Sequence, residues 1–249
     1  MTDATIVVPC YNEADRLPAE EFGEFIAGHS EIGFIFVDDG SGDATGERLR
    51  ALAGLCPERC TVFTLPENAG KAEAVRQGMG QAFETGATYV GYWDADLSTP
   101  LGEIIPMRDL LGADAELEMV FGSRVRLLGR AIHRHALRHY LGRVFATVAS
   151  LMLGLPVYDT QCGAKLMRAS PAVRELFVEP FVAKWIFDVE VIARLIRSLG
   201  PDGRQRAQEV ISEYPLRAWR DVGGSKLRLS DFARAAGDMV KIHRRYLTA

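Results

Sequence analysis

Short apolar runs recur along this chain at the spacing of successive strand-helix units. They begin near Thr5, Gly33, Thr61, Tyr89 and Leu117, with Ile6-Val7-Val8, Phe34-Ile35-Phe36-Val37, Val62-Phe63, Val90 and Met119-Val120-Phe121 as their cores. Runs this short, bounded by Gly, Asn, Asp and Ser, read as buried strands. Between two of them, Ala72, Val75, Met79, Ala82 and Phe83 keep to one face at offsets of three, four and one, the period of a helix. This alternation predicts an α/β fold with a mostly parallel central sheet flanked by helices. Later segments read as further helices: a long one from Arg130 to Leu155, one from Trp185 to about Leu199 ended by Gly200-Pro201, and a last one over Ser230 to Tyr246. The rhythm reflects element size rather than an internal repeat, and no low-complexity linker divides the chain. A single domain over residues 1–249 is expected.

Composition excludes several classes. With 48% hydrophobic and 25% charged residues among 249, the chain can bury a large core without staples. No stretch approaches the roughly 18 apolar residues of a membrane-spanning helix. Cys10, Cys56, Cys60 and Cys162 lack the paired spacing of a zinc site, and no secretory leader is evident, so reduced thiols and a cytoplasmic location are expected. The net charge of −4 hides an asymmetry. Between Met119 and Tyr158 there is no Asp or Glu, while Arg124, Arg126, Arg130, Arg134, Arg138 and Arg143 supply +6, so the rest carries −10. That balance argues against nucleic acid and for one local anion site.

In an open parallel sheet, ligands bind beyond the carboxyl ends of the strands. Three of the runs deliver unusual polar sets there: Pro9-Cys10-Tyr11-Asn12-Glu13, Asp38-Asp39-Gly40-Ser41-Gly42-Asp43-Ala44-Thr45, and Asp94-Ala95-Asp96-Leu97-Ser98-Thr99-Pro100. Residues i and i+2 of an extended chain share a side, so Asp94 and Asp96 converge. Two converging carboxylates suit a hard cation, Mg2+ or Mn2+, whose remaining positions go to water and substrate phosphate oxygens. Turn formation accounts for the same residues singly. Convergence of three such loops on one edge favours a nucleotide site.

Val7-Val8-Pro9-Cys10-Tyr11-Asn12-Glu13, Val37-Asp38-Asp39-Gly40-Ser41, Asn68-Ala69-Gly70-Lys71 and Asp94-Ala95-Asp96 resemble the family 2 glycosyltransferases. Phe121-Gly122-Ser123-Arg124, Asp159 to Leu166, Phe187-Asp188-Val189-Glu190 and Gly224-Ser225-Lys226-Leu227 resemble its polyprenyl-phosphate branch, which contains dolichyl-phosphate β-glucosyltransferases. The resemblance implies a glycosyltransferase A-type, Rossmann-like fold, a UDP-hexose donor, a divalent metal and an inverted anomeric centre. Residues 1–100 would form the nucleotide-sugar half, 101–229 the acceptor half and 230–249 a C-terminal helix. Pro9, Tyr11, Glu13 and Asp39 would hold the uridine, with Asp38 supporting the loop and Lys71 near the donor. Asp94 and Asp96, with Ala95 between them, would hold metal and diphosphate. Gly70-Lys71-Ala72 stands where the family often shows Gly-Lys-Gly.

On the acceptor side, Arg124 and Arg138 match positions that bind a polyprenyl phosphate. Asp159 matches the position usually proposed as base, and with Asp96 and Arg124 completes the expected catalytic set. A phosphate acceptor is already ionised near neutrality, so Asp159 admits either a basic or an orienting role. Asp188 and Glu190 shape the acceptor side or cap a helix. Gly223-Gly224-Ser225-Lys226 reads as a hinged loop bringing Lys226 to the diphosphate, and Trp219 packs beneath it or covers the sugar.

Arg126, Arg130, Arg134 and Arg138 repeat every four residues and would form one cationic helix face running into an apolar segment. That pattern suits an anionic membrane surface, with His133, His135 and His139 at the lipid boundary. The expected protein is a peripheral enzyme at the inner face of the cell membrane, with glucose the favoured hexose and oligomerisation left open. Transfer to a soluble hydroxylated acceptor, and nucleotide-sugar binding without transfer, are the alternatives.

Overall fold

The computed structural model describes residues 2–133, 136–222 and 229–248. In chain order its first half comprises β1 (Ala4–Cys10), α1 (Ala19–Gly28), β2 (Ile32–Asp38), α2 (Thr45–Ala53), β3 (Cys60–Thr64), α3 (Lys71–Phe83), β4 (Tyr89–Trp93), α4 (Ile104–Ala113) and β5 (Met119–Ser123). There follow β6 (Ala131–His133), α5 (Ala136–Leu153), β7 (Ala164–Arg168), α6 (Pro171–Glu175), α7 (Phe187–Ser198), α8 (Gly203–Val210), β8 (Ile211–Pro215), β9 (Ala218–Arg220) and α9 (Leu229–Ile242). All five strands anticipated from the apolar runs are present, each within two residues of its expected start.

Seven strands form one sheet in the order β3-β2-β1-β4-β7-β5-β8, and β6 pairs with β9 apart from it. Alternation along the strands supplies two cores. Val7, Ile35, Val37, Val90 and Tyr92 face α3, α5, α7 and α9, while Ile6, Val8, Phe34, Phe36 and Trp93 face α1, α2 and α4. On the first face α3 lies unusually close to the sheet. A Cβ on Gly78 would stand 2.4 Å from a Val7 methyl and 2.7 Å from one of Val37, so only glycine permits the approach.

One strand departs from the parallel pattern. β7 runs antiparallel to both neighbours, with Tyr92 and Phe121 each opposite Lys165 and Trp93 opposite Ala164. A reversed strand contributes its preceding loop to the edge where parallel strands contribute their following loops. Residues 155–163 therefore arrive beside the loops after β1, β2 and β4.

The long helix begins later than expected. Residues 131–133 are extended and pair with 218–220, the Ala131 N–H donating to the Arg217 carbonyl at 2.8 Å. Gly129, at φ +80°, turns the chain before them, and backbone groups spent on this pairing cannot join a helical ladder. Arg126 and Arg130 therefore precede the helix, and the four-residue spacing does not place them on one face with Arg138. Arg134, His135 and residues 223–228, including Lys226, lie outside the described residues, as do the side chains of His133, Arg138 and His139.

Candidate active site

The loops after β1 and β2 are bound into one unit. The Asn12 N–H donates to Ser41 Oγ and the Gly42 N–H to Asn12 Oδ1, each at 3.0 Å. The Glu13 N–H donates to Thr45 Oγ1 at 2.8 Å and the Ala14 N–H to Asp43 Oδ2 at 3.2 Å. Asp38 accepts the Ser41 N–H at 3.0 Å. Asp39 reaches the next loop, accepting from the Ala69 and Gly70 N–H groups at 2.8 and 2.9 Å and from Asn68 Nδ2 at 3.1 Å. Burial raises the Asp39 pKa, and those amides oppose the rise.

Together these loops wall a cleft of about 660 Å³. Pro9, Tyr11, Glu13, Asp39, Lys71, Asp94, Ala95 and Asp96 line one side of it, and Arg124 and Asp159 line the other. The two sides come from different halves of the chain, joined by the reversed strand.

Asp94 is held across the β4–β7 seam. Its N–H donates to the Gly163 carbonyl at 2.9 Å, and Lys71 Nζ donates to Oδ1 at 2.5 Å. Its carboxylate lies over the bare Cα of Gly163, where a Cβ would come within 1.8 Å of Oδ2. Burial opposes the Lys71 charge, but Asp94, Asp188 and Asp96 raise its pKa above the usual lysine value. Asp96 is folded back by the turn at Leu97, whose φ is +46°, and accepts the Ser98 N–H at 3.0 Å. Burial and then the neighbouring Asp94 charge raise the Asp96 pKa.

Two such carboxylates fit a hard divalent ion, which would relieve their mutual repulsion. Among the described residues no cluster of three or more His, Cys, Asp and Glu encloses a metal. An ion at Asp94 and Asp96 would thus take its other ligands from substrate and water.

The opposite wall is built on a neutral ion pair. Arg124 donates from Nε to Asp159 Oδ2 at 2.6 Å and from Nη2 to Oδ1 at 2.7 Å, and its N–H adds a third bond at 3.1 Å. Burial opposes the Arg124 charge, yet Asp159 more than offsets this and raises its pKa. The guanidinium also lies 5.4 Å from the centre of the Trp219 ring, so Trp219 packs beneath Arg124. Glu213 on β8 accepts the N–H groups of Tyr158 and Asp159 at 2.7 and 2.8 Å and fixes the loop. Behind it, the wholly buried Lys165 donates to Asp188 at 2.6 Å and to the Cys162 carbonyl at 2.5 Å, while the Tyr92 hydroxyl donates to Asp188 at 2.6 Å. Asp188, in the first turn of α7, ties β7 and β4 to that helix and accepts from Gln161 Nε2 of the cleft lining at 3.4 Å. Glu190 accepts the Val182 and Ala183 N–H groups and pairs with Arg194, away from the cleft.

Gly163, Lys165 and Glu213 were not singled out by sequence reasoning, and Arg143, which lines the cleft from α5, was counted in the cationic stretch without a role of its own. Gly163 and Lys165 lie within a recognised motif, but their roles depend on the reversed strand.

The mostly parallel seven-stranded sheet thus sets an acidic pair beyond β4 against an arginine-bearing wall. Residues 5–174 match the family model Glycosyl transferase family 2, and the chain belongs to that family. A dolichyl-phosphate beta-glucosyltransferase of Drosophila melanogaster is 31% identical over 260 residues, covering 98% of this chain and 76% of the relative. The Saccharomyces cerevisiae enzyme of that name is 29% identical over 269 residues, covering 98% and 75%. Among solved structures, glucosyl-3-phosphoglycerate synthase from Mycobacterium tuberculosis, in complex with Mn2+, UDP and glucosyl-3-phosphoglycerate, shares the fold. The TM-score is 0.65 at 18% identity, covering 100% of this chain and 81% of that one.

The Asp94–Gly163 contact gives a specific expectation. The atoms nearest to a methyl group at 163 all belong to the Asp94 carboxylate, which can rotate aside, so Gly163→Ala should leave the melting temperature within a few degrees, roughly the effect of 1 kcal/mol. Displacing the carboxylate by about 1 Å should lower the rate of sugar transfer about 100-fold. Wild-type transfer rates in a folded Gly163→Ala protein would show that Asp94 has no such placement.

Proposed function

We propose that this chain moves a hexose, glucose by preference, from a UDP-sugar onto a polyprenyl phosphate with inversion at the anomeric carbon. One observation carries the proposal: a single cleft sets the Asp94 and Asp96 carboxylates against an arginine wall whose acid, Asp159, is engaged on both oxygens. The names of the relatives support the lipid phosphate as acceptor. The Mn2+ and UDP bound by the solved neighbour support the donor and the metal.

Pro9, Tyr11, Glu13 and Asp39 would receive the uridine, on a wall made rigid by the interlocked loops. Asp94 and Asp96 would hold Mg2+ or Mn2+ against the diphosphate, with Lys71 beside them. Such an ion would neutralise charge gathering on the departing UDP. Arg124 and Arg138 would bind the acceptor phosphate, and Lys226 would approach the diphosphate from its loop. A phosphate oxygen then attacks the anomeric carbon from the side opposite the leaving group. The bond from that carbon to the UDP oxygen breaks, and its electron pair leaves with UDP. The attacking oxygen is already ionised, since the second phosphate pKa is about 6, so no proton needs removal. Asp159 orients Arg124 in this scheme rather than acting as a base.

Acceptor competition tests the assignment. Polyprenyl phosphate should be glycosylated in the presence of Mg2+ or Mn2+, and alcohols and 3-phosphoglycerate should not. Turnover restricted to a soluble hydroxylated acceptor would overturn it.

We further propose that the protein docks on anionic membranes through the segment from Arg126 to Leu155. Among the described residues no helix is long and apolar enough to cross a membrane. Val144, Val148 and Leu151 nevertheless expose 64%, 48% and 77% of their surface along one side of α5, at offsets of four and three. Leu127 and Leu128 stand exposed beside Arg126. Interfacial arginines contribute about 1 kcal/mol each. Arg126→Gln with Arg130→Gln should therefore reduce cofloatation with anionic vesicles about tenfold or more. Flotation indifferent to both changes, or to vesicle charge, would refute the docking surface.

A further inference from the structure

Arg143 lines the cleft from the middle of α5, and no motif block contains it. Its guanidinium lies 3.7 Å from the centre of the Tyr158 ring, and Nη1 donates to the Tyr158 carbonyl at 2.8 Å. Stacking and one hydrogen bond fix the group while leaving donors of its fork unused. Among the described residues no carboxylate pairs with it. Arg124 differs in this respect, because Asp159 takes its Nε and Nη2 and the pair carries no net charge. A dianionic phosphate needs uncompensated positive charge as well as hydrogen-bond donors. Arg143 supplies it.

Next to this cation the cleft turns apolar. Phe145 and Trp185 both line it, with ring centres 5.9 Å apart and planes tilted by 51°, and the short Ala146 side chain lines it beside them. Arg143 and Phe145 sit on α5 and Trp185 stands two residues before α7, and both helices pack in the core. The exposed Val144, Val148 and Leu151 stripe lies on the same α5, giving an apolar chain a route from the cleft to a lipid surface.

We propose that Arg143 binds the acceptor phosphate and that the Phe145–Trp185 shelf receives the first isoprenoid unit of the lipid. This assignment rests on the transfer reaction proposed above and names the residues that read its acceptor. A bare phosphate would meet the cation alone, and an isoprenyl phosphate would meet both parts.

Steady-state transfer with wild type, Arg143→Gln, Arg143→Lys and Trp185→Ala tests it, using farnesyl phosphate and butyl phosphate as acceptors and UDP affinity as the check on folding. Arg143→Gln should raise KM for both acceptors at least about tenfold, with KM for the UDP-sugar and UDP affinity unchanged. Arg143→Lys should recover part of the loss. Trp185→Ala should abolish the preference for farnesyl over butyl phosphate. Unchanged acceptor KM in Arg143→Gln, or an undiminished farnesyl preference in Trp185→Ala, overturns the assignment while leaving the reaction intact. A wild-type protein that glycosylates neither phosphate overturns the reaction and the assignment together, and shows this before any variant is compared.

Discussion

The Asp94 carboxylate rests against a residue with no side chain, and that contact sets how closely β7 can approach the end of β4. With Gly163 at that point, the Asp94 N–H meets the Gly163 carbonyl and the carboxylate projects into the cleft within reach of Lys71. The reversed direction of β7 makes this seam productive. It carries the Asp159 loop to the edge where β1, β2 and β4 deliver their polar ends, so acidic and cationic walls face each other across one space. Beneath the seam, the Lys165–Asp188 pair ties the reversed strand to β4 and α7. Removing one partner from a buried pair typically costs about 3–5 kcal/mol, which explains how a fully buried lysine is sustained there.

The two walls differ in their charge economy. On the donor side, Asp94 and Asp96 concentrate negative charge that Lys71 offsets only in part, a setting that favours a divalent ion bridging to a diphosphate. On the opposite side, Arg124 and Asp159 cancel, Glu213 fixes their loop, and Arg143 adds a positive charge that no carboxylate among the described residues pairs with. The ionised oxygen of the proposed phosphate acceptor removes the need for a basic residue, which accords with Asp159 having both oxygens bonded to Arg124.

Much of this was legible before the structure. Strand positions followed from apolar runs bounded by turn residues, and the strand-end rule brought Tyr11, Glu13, Asp39, Asp94 and Asp96 to one edge. What escaped depends on strand direction and pairing. Lys165 interrupts the apolar pattern of β7, so that strand gives no clear periodic signal, and nothing local marks it as reversed. Gly163 matters because of what crosses above it. The arginine row misled for a related reason: its spacing is helical, but residues 131–133 pair with β9, a contact formed 87 residues further along the chain. Arg143 was counted only as one charge of the cationic stretch, because its place in the cleft depends on packing against Tyr158.

The central claim is that Asp94 and Asp96 form the diphosphate end of a donor site through a shared divalent ion. Calorimetric titration of UDP into the wild-type protein, with Mn2+ and with a chelator, tests it most directly. Metal should tighten UDP binding by at least about tenfold, or 1.4 kcal/mol, and Asp94→Asn combined with Asp96→Asn should remove that gain while leaving metal-free binding unchanged. Equal affinity with and without metal, or a gain that survives the double substitution, would contradict the account.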